Sequence, residues 1–193
     1  MATPITHIVL TNKVFNEKFK DKKKRDFFVG TVFPDIRYLA KIERRFTHSL
    51  DFKETNSFKA GIKFHYLIDN VWNEFVRLDN NITSFKFLED ELLYEKINDW
   101  KEYIGYFDKV FSDELLFNIS KEKTKEWHNI LQEYFSKKPD DSTRENFIKN
   151  LEFPKERINQ INRNVNLLKK DKKIIQSIND FYNNFELLLK NHD

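Results

Sequence analysis

The clearest structural signal in the sequence lies in residues 58–76, which read FKAGIKFHYLIDNVWNEFV. Apolar residues recur in this stretch at intervals of three and four, the spacing that places side chains on one face of an α-helix. His65 and Asp69 stand four residues apart, so they share a face of the same predicted helix. The apolar residues at this spacing are Ile62, Leu67, Ile68, Val71, Trp72 and Phe75.

The composition of the whole chain also favours helices. The 193 residues include only 3 glycines and 4 prolines, too few for the tight turns of an all-β domain of this size. Phenylalanine occurs 20 times and is expected to form much of the core. Thr3-Pro4 predicts the start of a first helix, and helical apolar spacing returns in residues 158–168 and 174–189. The sequence therefore predicts an all-α fold.

The sequence contains no obvious linker or internal repeat. The charged run Lys20–Arg25 is interpreted as a solvated loop, and Pro139–Thr143 as a loop with a helix N-cap. We expect a single all-helical domain over residues 1–193. Its metal-site half is predicted to cover residues 1–80 and a second helical half residues 81–193.

Charge and composition narrow the classes of function. Lys and Arg number 34 and Asp and Glu 31, and a net charge of +3 is not a strong signal for nucleic-acid binding. No run approaches the roughly 18 apolar residues of a transmembrane segment. The start, MATPITH, lacks the basic and apolar regions of a secretory signal, which predicts a cytoplasmic protein. The absence of cysteine excludes disulfides and thiolate metal sites.

The distribution of histidine indicates a possible metal site. Only 5 histidines occur, and three of them, His7, His48 and His65, lie in the first 65 residues, in the same region as Asp35 and Asp69. His65 and Asp69 have the spacing to bind one divalent cation together, although a structural hydrogen-bonded pair is the commoner use of this pattern. Asp69 stands among apolar neighbours, and a buried carboxylate must be paired or bound to a metal.

Asp35 follows Pro34 at the end of an apolar segment, and two interpretations remain open. The two residues fit the first turn of a helix. Alternatively, Asp35 is a general base or a metal ligand held at the end of a buried segment. His7 is predicted one turn into the first helix and His48 in a loop.

These residues form an ordered series that resembles the zinc-dependent phospholipase C family. More narrowly, the series is similar to bacterial phospholipase-C-like hydrolases of unassigned substrate, and it covers roughly the first 80 residues. The matching blocks are Thr6-His7, Gly30-x-x-x-Pro34-Asp35, Thr47-His48, Gly61-x-x-x-His65-x-x-x-Asp69 and Trp72-Asn73.

The resemblance implies a phospholipase C-like helical bundle with a metal site in a cleft between helices. By this resemblance, His48, His65 and Asp69 bind one zinc ion, and Asp69 bridges to a second ion that His7 also binds. Asp35 matches the carboxylate that orients or deprotonates the attacking water. Manganese or iron would also suit histidine and carboxylate ligands.

The chain departs from the family at its third metal site. That site needs a His-x-x-x-Glu pair, but His128 precedes Glu133 by five residues and His192 lies beside the last residue. One or two metal ions are therefore expected. Arg37 is the best-placed cation for a phosphate group, although a solvated surface charge is the simpler interpretation of Arg37, Arg44 and Arg45.

The sequence leaves three functions open. The first is a metal-dependent hydrolase that uses a metal-activated water on a small-molecule or lipid phosphate ester, either a monoester or a diester. The second is a non-catalytic helical binding protein that retains a structural metal site. The third, a nucleic-acid binder, is disfavoured by the low net charge.

Overall fold

The computed structural model describes residues 3–48, 56–76 and 82–192. These residues form ten α-helices and four short 3-10 helices and contain no strand, which confirms the all-α prediction. Among the described helices, none combines the length and the apolar character that a membrane-spanning segment requires. The α-helices are α1 (Pro4–Lys18), α2 (Lys24–Val32), α3 (Arg37–Ala40), α4 (Ser57–Phe75), α5 (Ile82–Leu93), α6 (Lys101–Gly105), α7 (Lys121–Phe135), α8 (Asp141–Asn150), α9 (Lys155–Leu168) and α10 (Lys172–Lys190). The 3-10 helices are Phe33–Ile36, Arg44–Phe46, Tyr94–Lys96 and Ser112–Phe117.

Helices α2 and α4 pack backbone against backbone at a pair of glycines. A Cβ atom added to Gly30 would lie 2.1 Å from the carbonyl oxygen of Phe58, and one added to Gly61 would lie 2.1 Å from that of Phe27. Only glycine permits so close an approach. The crossing sets the distance between α4, which carries His65 and Asp69, and the end of α2.

Helix α5 holds the surrounding helices together through two buried acids. Asp90 accepts hydrogen bonds from the backbone and side chain of Thr6 on α1, at 2.7 and 2.8 Å, and from the Tyr134 hydroxyl on α7 at 3.0 Å. Glu89 accepts a hydrogen bond of 2.8 Å from the indole nitrogen of Trp72 on α4. Trp72 therefore fixes α4 against α5 one turn beyond Asp69.

One sequence prediction about local structure is corrected and another is confirmed. The charged run Lys20–Arg25 is not all loop, because α2 begins at Lys24. Arg25 packs its guanidinium 4.3 Å from the centre of the Phe111 ring and donates to the carbonyl of Tyr106, which keeps this charged residue against the protein. Thr3 is the N-cap of α1, as expected, but its hydroxyl donates to the Lys86 carbonyl instead of capping the helix.

The last two helices follow the predicted apolar pattern. The stripe in residues 158–168 lies on α9, where Ile158, Ile161 and Val165 are buried. The second stripe lies on α10 and buries Ile178, Phe181, Phe185 and Leu189. The N-cap predicted within Pro139–Thr143 is Asp140, which accepts a hydrogen bond from the Thr143 backbone. The predicted loop is shorter than expected, because α8 begins at Asp141.

Candidate metal centre

Four separate segments bring the five predicted site residues together. His7 comes from α1, Asp35 from the 3-10 helix Phe33–Ile36, and His65 and Asp69 from α4. His48 follows the 3-10 helix Arg44–Phe46. All five side chains are buried. They form two overlapping groups whose ligand atoms lie within 4.8 Å of one another, namely His7, His65 and Asp69, and Asp35, His48 and His65.

The Asp69 carboxylate lies at the centre of the three histidines. Its oxygens are 3.7 Å from His7 Nε2, 3.6 Å from His65 Nε2 and 4.0 Å from His48 Nε2. These distances are too long for hydrogen bonds. Two ligands of one tetrahedral zinc ion, each about 2.1 Å from the metal, lie about 3.4 Å apart. The observed spacing is therefore close to that of a shared cation.

Hydrogen bonds at Nδ1 orient each imidazole ring. His65 Nδ1 lies 2.8 Å from the carbonyl oxygen of Thr31, and His7 Nδ1 lies 3.1 Å from that of Thr3. A carbonyl only accepts, so both rings carry their proton on Nδ1. His48 Nδ1 lies 3.0 Å from the Thr47 hydroxyl, which itself donates to the Arg44 carbonyl. Each neutral ring then presents the Nε2 lone pair, the arrangement that metal-binding histidines use.

Burial keeps these histidines neutral. It lowers the pKa of His7 to about 4, although the Asp69 charge opposes the shift. Burial and the charge of Arg44 lower the pKa of His48 to about 4, and burial lowers that of His65 well below its usual value. The His7 and His65 rings are stacked with their centres 4.0 Å apart, which would be unfavourable if both were protonated. The three rings are therefore available as neutral ligands at neutral pH.

The residues present fit a divalent cation. The Nε2 atoms of His7, His48 and His65 are buried and have no hydrogen-bond partner among the residues that the structure describes. Unpaired buried polar atoms are costly and rare, and here three of them surround one carboxylate. Neutral imidazoles with a carboxylate suit zinc, and also manganese or iron. The cluster therefore has the composition and orientation of a metal site.

Asp35 is the second acid of the centre. Its Oδ1 is buried and has no hydrogen-bond partner within the described chain. Burial, reinforced by the negative charge of Asp69, raises the pKa of Asp35 to about 7. Asp35 lies in the 3-10 helix after Pro34, so the two residues do occupy a first turn, as one interpretation proposed. Its burial among the histidines also fits the other interpretation, a general base or a metal ligand.

One of the cations near the centre, Arg44, differs from expectation. Arg44, interpreted from the sequence as a surface charge, donates from Nη2 to Asp69 at 3.1 Å. Arg37, the predicted phosphate-binding residue, stacks its guanidinium on Tyr38, with 4.0 Å to the ring centre, and donates to the Tyr38 hydroxyl at 2.6 Å. The sequence carries no clear signal for this contact, because Arg44 and Asp69 stand 25 residues apart and only the fold brings them together.

His128 belongs to a different buried pair. Its Nε2 lies 2.7 Å from Glu114 and its Nδ1 3.1 Å from the Phe107 carbonyl, so both ring nitrogens are engaged. The family's third metal site requires a glutamate four residues after a histidine. The partner of His128 is instead Glu114, which precedes it by 14 residues. No third histidine-carboxylate metal group is found in the described residues, where the two groups around His65 are the candidates.

Comparisons with known proteins do not assign the chain to a family. No family model matches it, and no curated protein or solved structure is detectably similar to it. The resemblance to the zinc-dependent phospholipase C family therefore rests on the motif residues alone.

Proposed function

We propose that the protein is a metal-dependent hydrolase of phosphate esters, with zinc as the metal and a phospholipase C-like arrangement of its helices. The observation that supports this most strongly is the convergence of three oriented, buried Nε2 atoms on Asp69, with Asp35 beside them. A structural pair of His65 and Asp69 would not require His7 and His48 to be unpaired at the same point. A bound divalent cation would polarise a phosphoryl group and lower the pKa of water.

Asp35 is suited to act as the general base. Its carboxylate is buried beside the histidines and has an oxygen without a hydrogen-bond partner in the described residues, so it could accept a proton from a water bound there. In the reaction, a water oxygen forms a new bond to phosphorus and gives its proton to Asp35. The ester P–O bond breaks, and the alkoxide leaves as the alcohol with a proton from solvent, to which Asp35 afterwards returns the proton that it accepted. His7, His48, His65 and Asp69 would hold the cation, while Thr3, Thr31 and Thr47 keep the rings oriented.

The first experiment measures metal content and hydrolysis in the same samples. Elemental analysis of tag-free protein is expected to give one or two equivalents of zinc, manganese or iron. The double variant His65→Ala/Asp69→Ala should lose this metal and the hydrolysis of p-nitrophenyl phosphate and bis(p-nitrophenyl) phosphate. Asp35→Asn should keep most of the metal and lose activity by about a hundredfold or more, the usual contribution of a general base.

His192→Ala is the matched control, because this residue pairs with Glu74 away from the centre. It should leave both metal content and activity unchanged. Metal that persists in the double variant would contradict the assigned ligands. Metal that is lost in the double variant, without hydrolysis of any ester by the parent protein, would instead support a non-catalytic protein with a structural metal site.

A further inference from the structure

A cavity next to the metal centre connects it to the second half of the chain. Its volume is about 130 Å³. Asp35 and Tyr38 line one side, and side chains of α5, α7 and the turn after α8 line the other, including Phe87, Trp127 and Leu151. Because Asp35 belongs to both the centre and the cavity, a molecule bound in the cavity would reach the reacting groups.

The size of the cavity limits what it can hold. A buried apolar cavity of roughly 150 Å³ accommodates benzene, so this cavity has room for about one aromatic ring. Its walls are largely carbon, with Phe87, Phe147 and Ile161 among the lining residues. Two fatty acyl chains would not fit into such a volume.

The charged residues of the cavity favour an anion. Lys86 and Arg157 line it, whereas Asp35 is its one acidic lining residue in the described structure. Lys86 is partly buried, with its ammonium group 4.7 Å from the centre of the Trp72 ring. Burial lowers the pKa of Lys86, while the charges of Asp69 and Asp35 favour its protonated form. Lys86 and Asp35 line the same cavity, so an anionic group bound beside Asp35 would have this cation as a neighbour.

A buried hydrogen-bond donor also lines the cavity. Trp127 is 1% exposed and lines the cavity, and its indole nitrogen has no hydrogen-bond partner in the described residues. A buried donor without a partner is costly. A bare phenyl ring would fill the cavity without pairing this donor, and an acceptor atom on the ring would add the missing hydrogen bond.

We propose that this cavity binds the organic group of a phosphate ester, a compact apolar group of about one ring, with Lys86 beside the phosphoryl group. The reaction of such a ligand rests on the proposed function, but its binding does not. The substrate class is then a small aryl or similarly compact ester and not a diacyl lipid.

Binding of non-hydrolysable phosphonates tests the proposal. Isothermal titration calorimetry compares phenylphosphonate with methylphosphonate, in the presence and absence of zinc. We expect phenylphosphonate to bind about tenfold tighter or more, because a buried ring removes considerable apolar surface from water. The preference should persist without zinc, since the cavity walls do not include the histidines.

Variants on one helix separate the cavity from the metal centre. Ile161→Phe on α9 should fill the cavity and remove the preference for the phenyl group without changing zinc content. Leu167→Phe on the same helix is the matched control, because Leu167 is 63% exposed. Ile161→Ala, which enlarges the cavity, should improve the binding of naphthylphosphonate relative to phenylphosphonate.

A lysine variant tests the charge of the cavity. Lys86→Met should weaken the binding of both phosphonates about tenfold, and the exposed Lys149→Met should not.

The outcomes distinguish the two proposals. Equal binding of the two phosphonates, or a preference that Ile161→Phe leaves intact, overturns the cavity assignment even if the protein binds zinc and hydrolyses esters. Tighter binding of dihexanoylphosphatidylcholine than of phenylphosphonate also overturns it. A phenyl preference in protein that binds no zinc supports the cavity and contradicts the proposed hydrolase.

Discussion

Glu89 shows how one buried acid can make stability depend on pH. The residue is fully buried, one oxygen accepts from the Trp72 indole, and the other has no hydrogen-bond partner among the described residues. Burial raises the pKa of Glu89 to about 8, although the Trp72 hydrogen bond opposes the shift. The carboxyl is therefore protonated in the folded protein at neutral pH and ionised in the unfolded chain.

Replacement of Glu89 by glutamine should stabilise the protein at alkaline pH. Because the folded-state pKa is raised, the contribution of Glu89 is fully present below pH 4.5 and is lost as the pH rises through about 8. Glutamine keeps an acceptor for Trp72 and does not ionise. We expect Glu89→Gln to raise the free energy of unfolding at pH 8 by about 2–4 kcal/mol and to change it little at pH 4.5.

Urea unfolding of both proteins across this pH range measures the effect. The exposed Glu145→Gln is the control and should show no pH-dependent difference. A difference between Glu89→Gln and the parent that does not grow with pH would mean that Glu89 is ionised in the folded protein.

At the scale of helices, the crossing of α2 and α4 determines whether the site forms. The glycine contact brings the Thr31 carbonyl within 2.8 Å of His65 Nδ1. Gly61→Ala would place a Cβ atom 2.1 Å from the Phe27 carbonyl, a backbone atom that cannot move independently of α2. The two helices must then separate, and the ring of His65 loses its orientation.

We expect Gly61→Ala to destabilise the protein by about 1–3 kcal/mol, as overpacking does, despite the higher helix propensity of alanine. It should also weaken zinc binding by tenfold or more, as loss of such an orienting contact commonly does. Thermal unfolding and zinc titration measure the two effects.

Gly105→Ala provides the matched control, since a Cβ atom there would meet its nearest neighbour at 3.9 Å. This variant should be neutral or slightly stabilising in both assays. An equal loss of stability in both variants would show that the close contact between α2 and α4 is not the cause of the loss.

The sequence predicts some helices well and others poorly, for physical reasons. The stretch 58–76 becomes α4, Ser57–Phe75, because its apolar spacing matches the face that is buried. The start of α2 is missed because its first residues, Lys24 and Arg25, continue a charged run. The bounds of α5, Ile82–Leu93, are not predicted within the expected helical half, although Phe85, Leu88 and Leu93 recur at near-helical spacing.

The candidate site can be predicted from the sequence only where it depends on the identity of side chains. The order of the motif blocks indicates His7, Asp35, His48, His65 and Asp69, and the structure brings all five together. The partners that orient His7 and His65 are backbone carbonyls, which any residue supplies, so the sequence cannot indicate them. Lys86 and Trp127 lie in the part of the chain outside the motif, and only the fold brings them to Asp35.

At the scale of the whole molecule, the candidate centre joins segments that are far apart in the chain. Residues 7 and 69 meet only in the folded state, and an unfolded chain does not offer the same ligand set. A cation bound there therefore stabilises the folded protein by mass action. Since burial keeps the pKa of His7 and of His48 at about 4, protons should not compete at these two ligands at pH 6.

Zinc loading should therefore raise the midpoint of thermal unfolding, and chelation should reverse the rise. Free zinc at a hundredfold excess over its dissociation constant adds about 2.7 kcal/mol, which corresponds to a shift of about 5–10 °C for a chain of this length. Differential scanning calorimetry at pH 6 and pH 7 should give similar shifts, and His65→Ala should show little or none. A midpoint that zinc and chelator leave unchanged would mean that the unpaired histidine nitrogens do not hold a cation. A shift at pH 7 that disappears at pH 6 would instead mean that the ligands titrate as exposed histidines do.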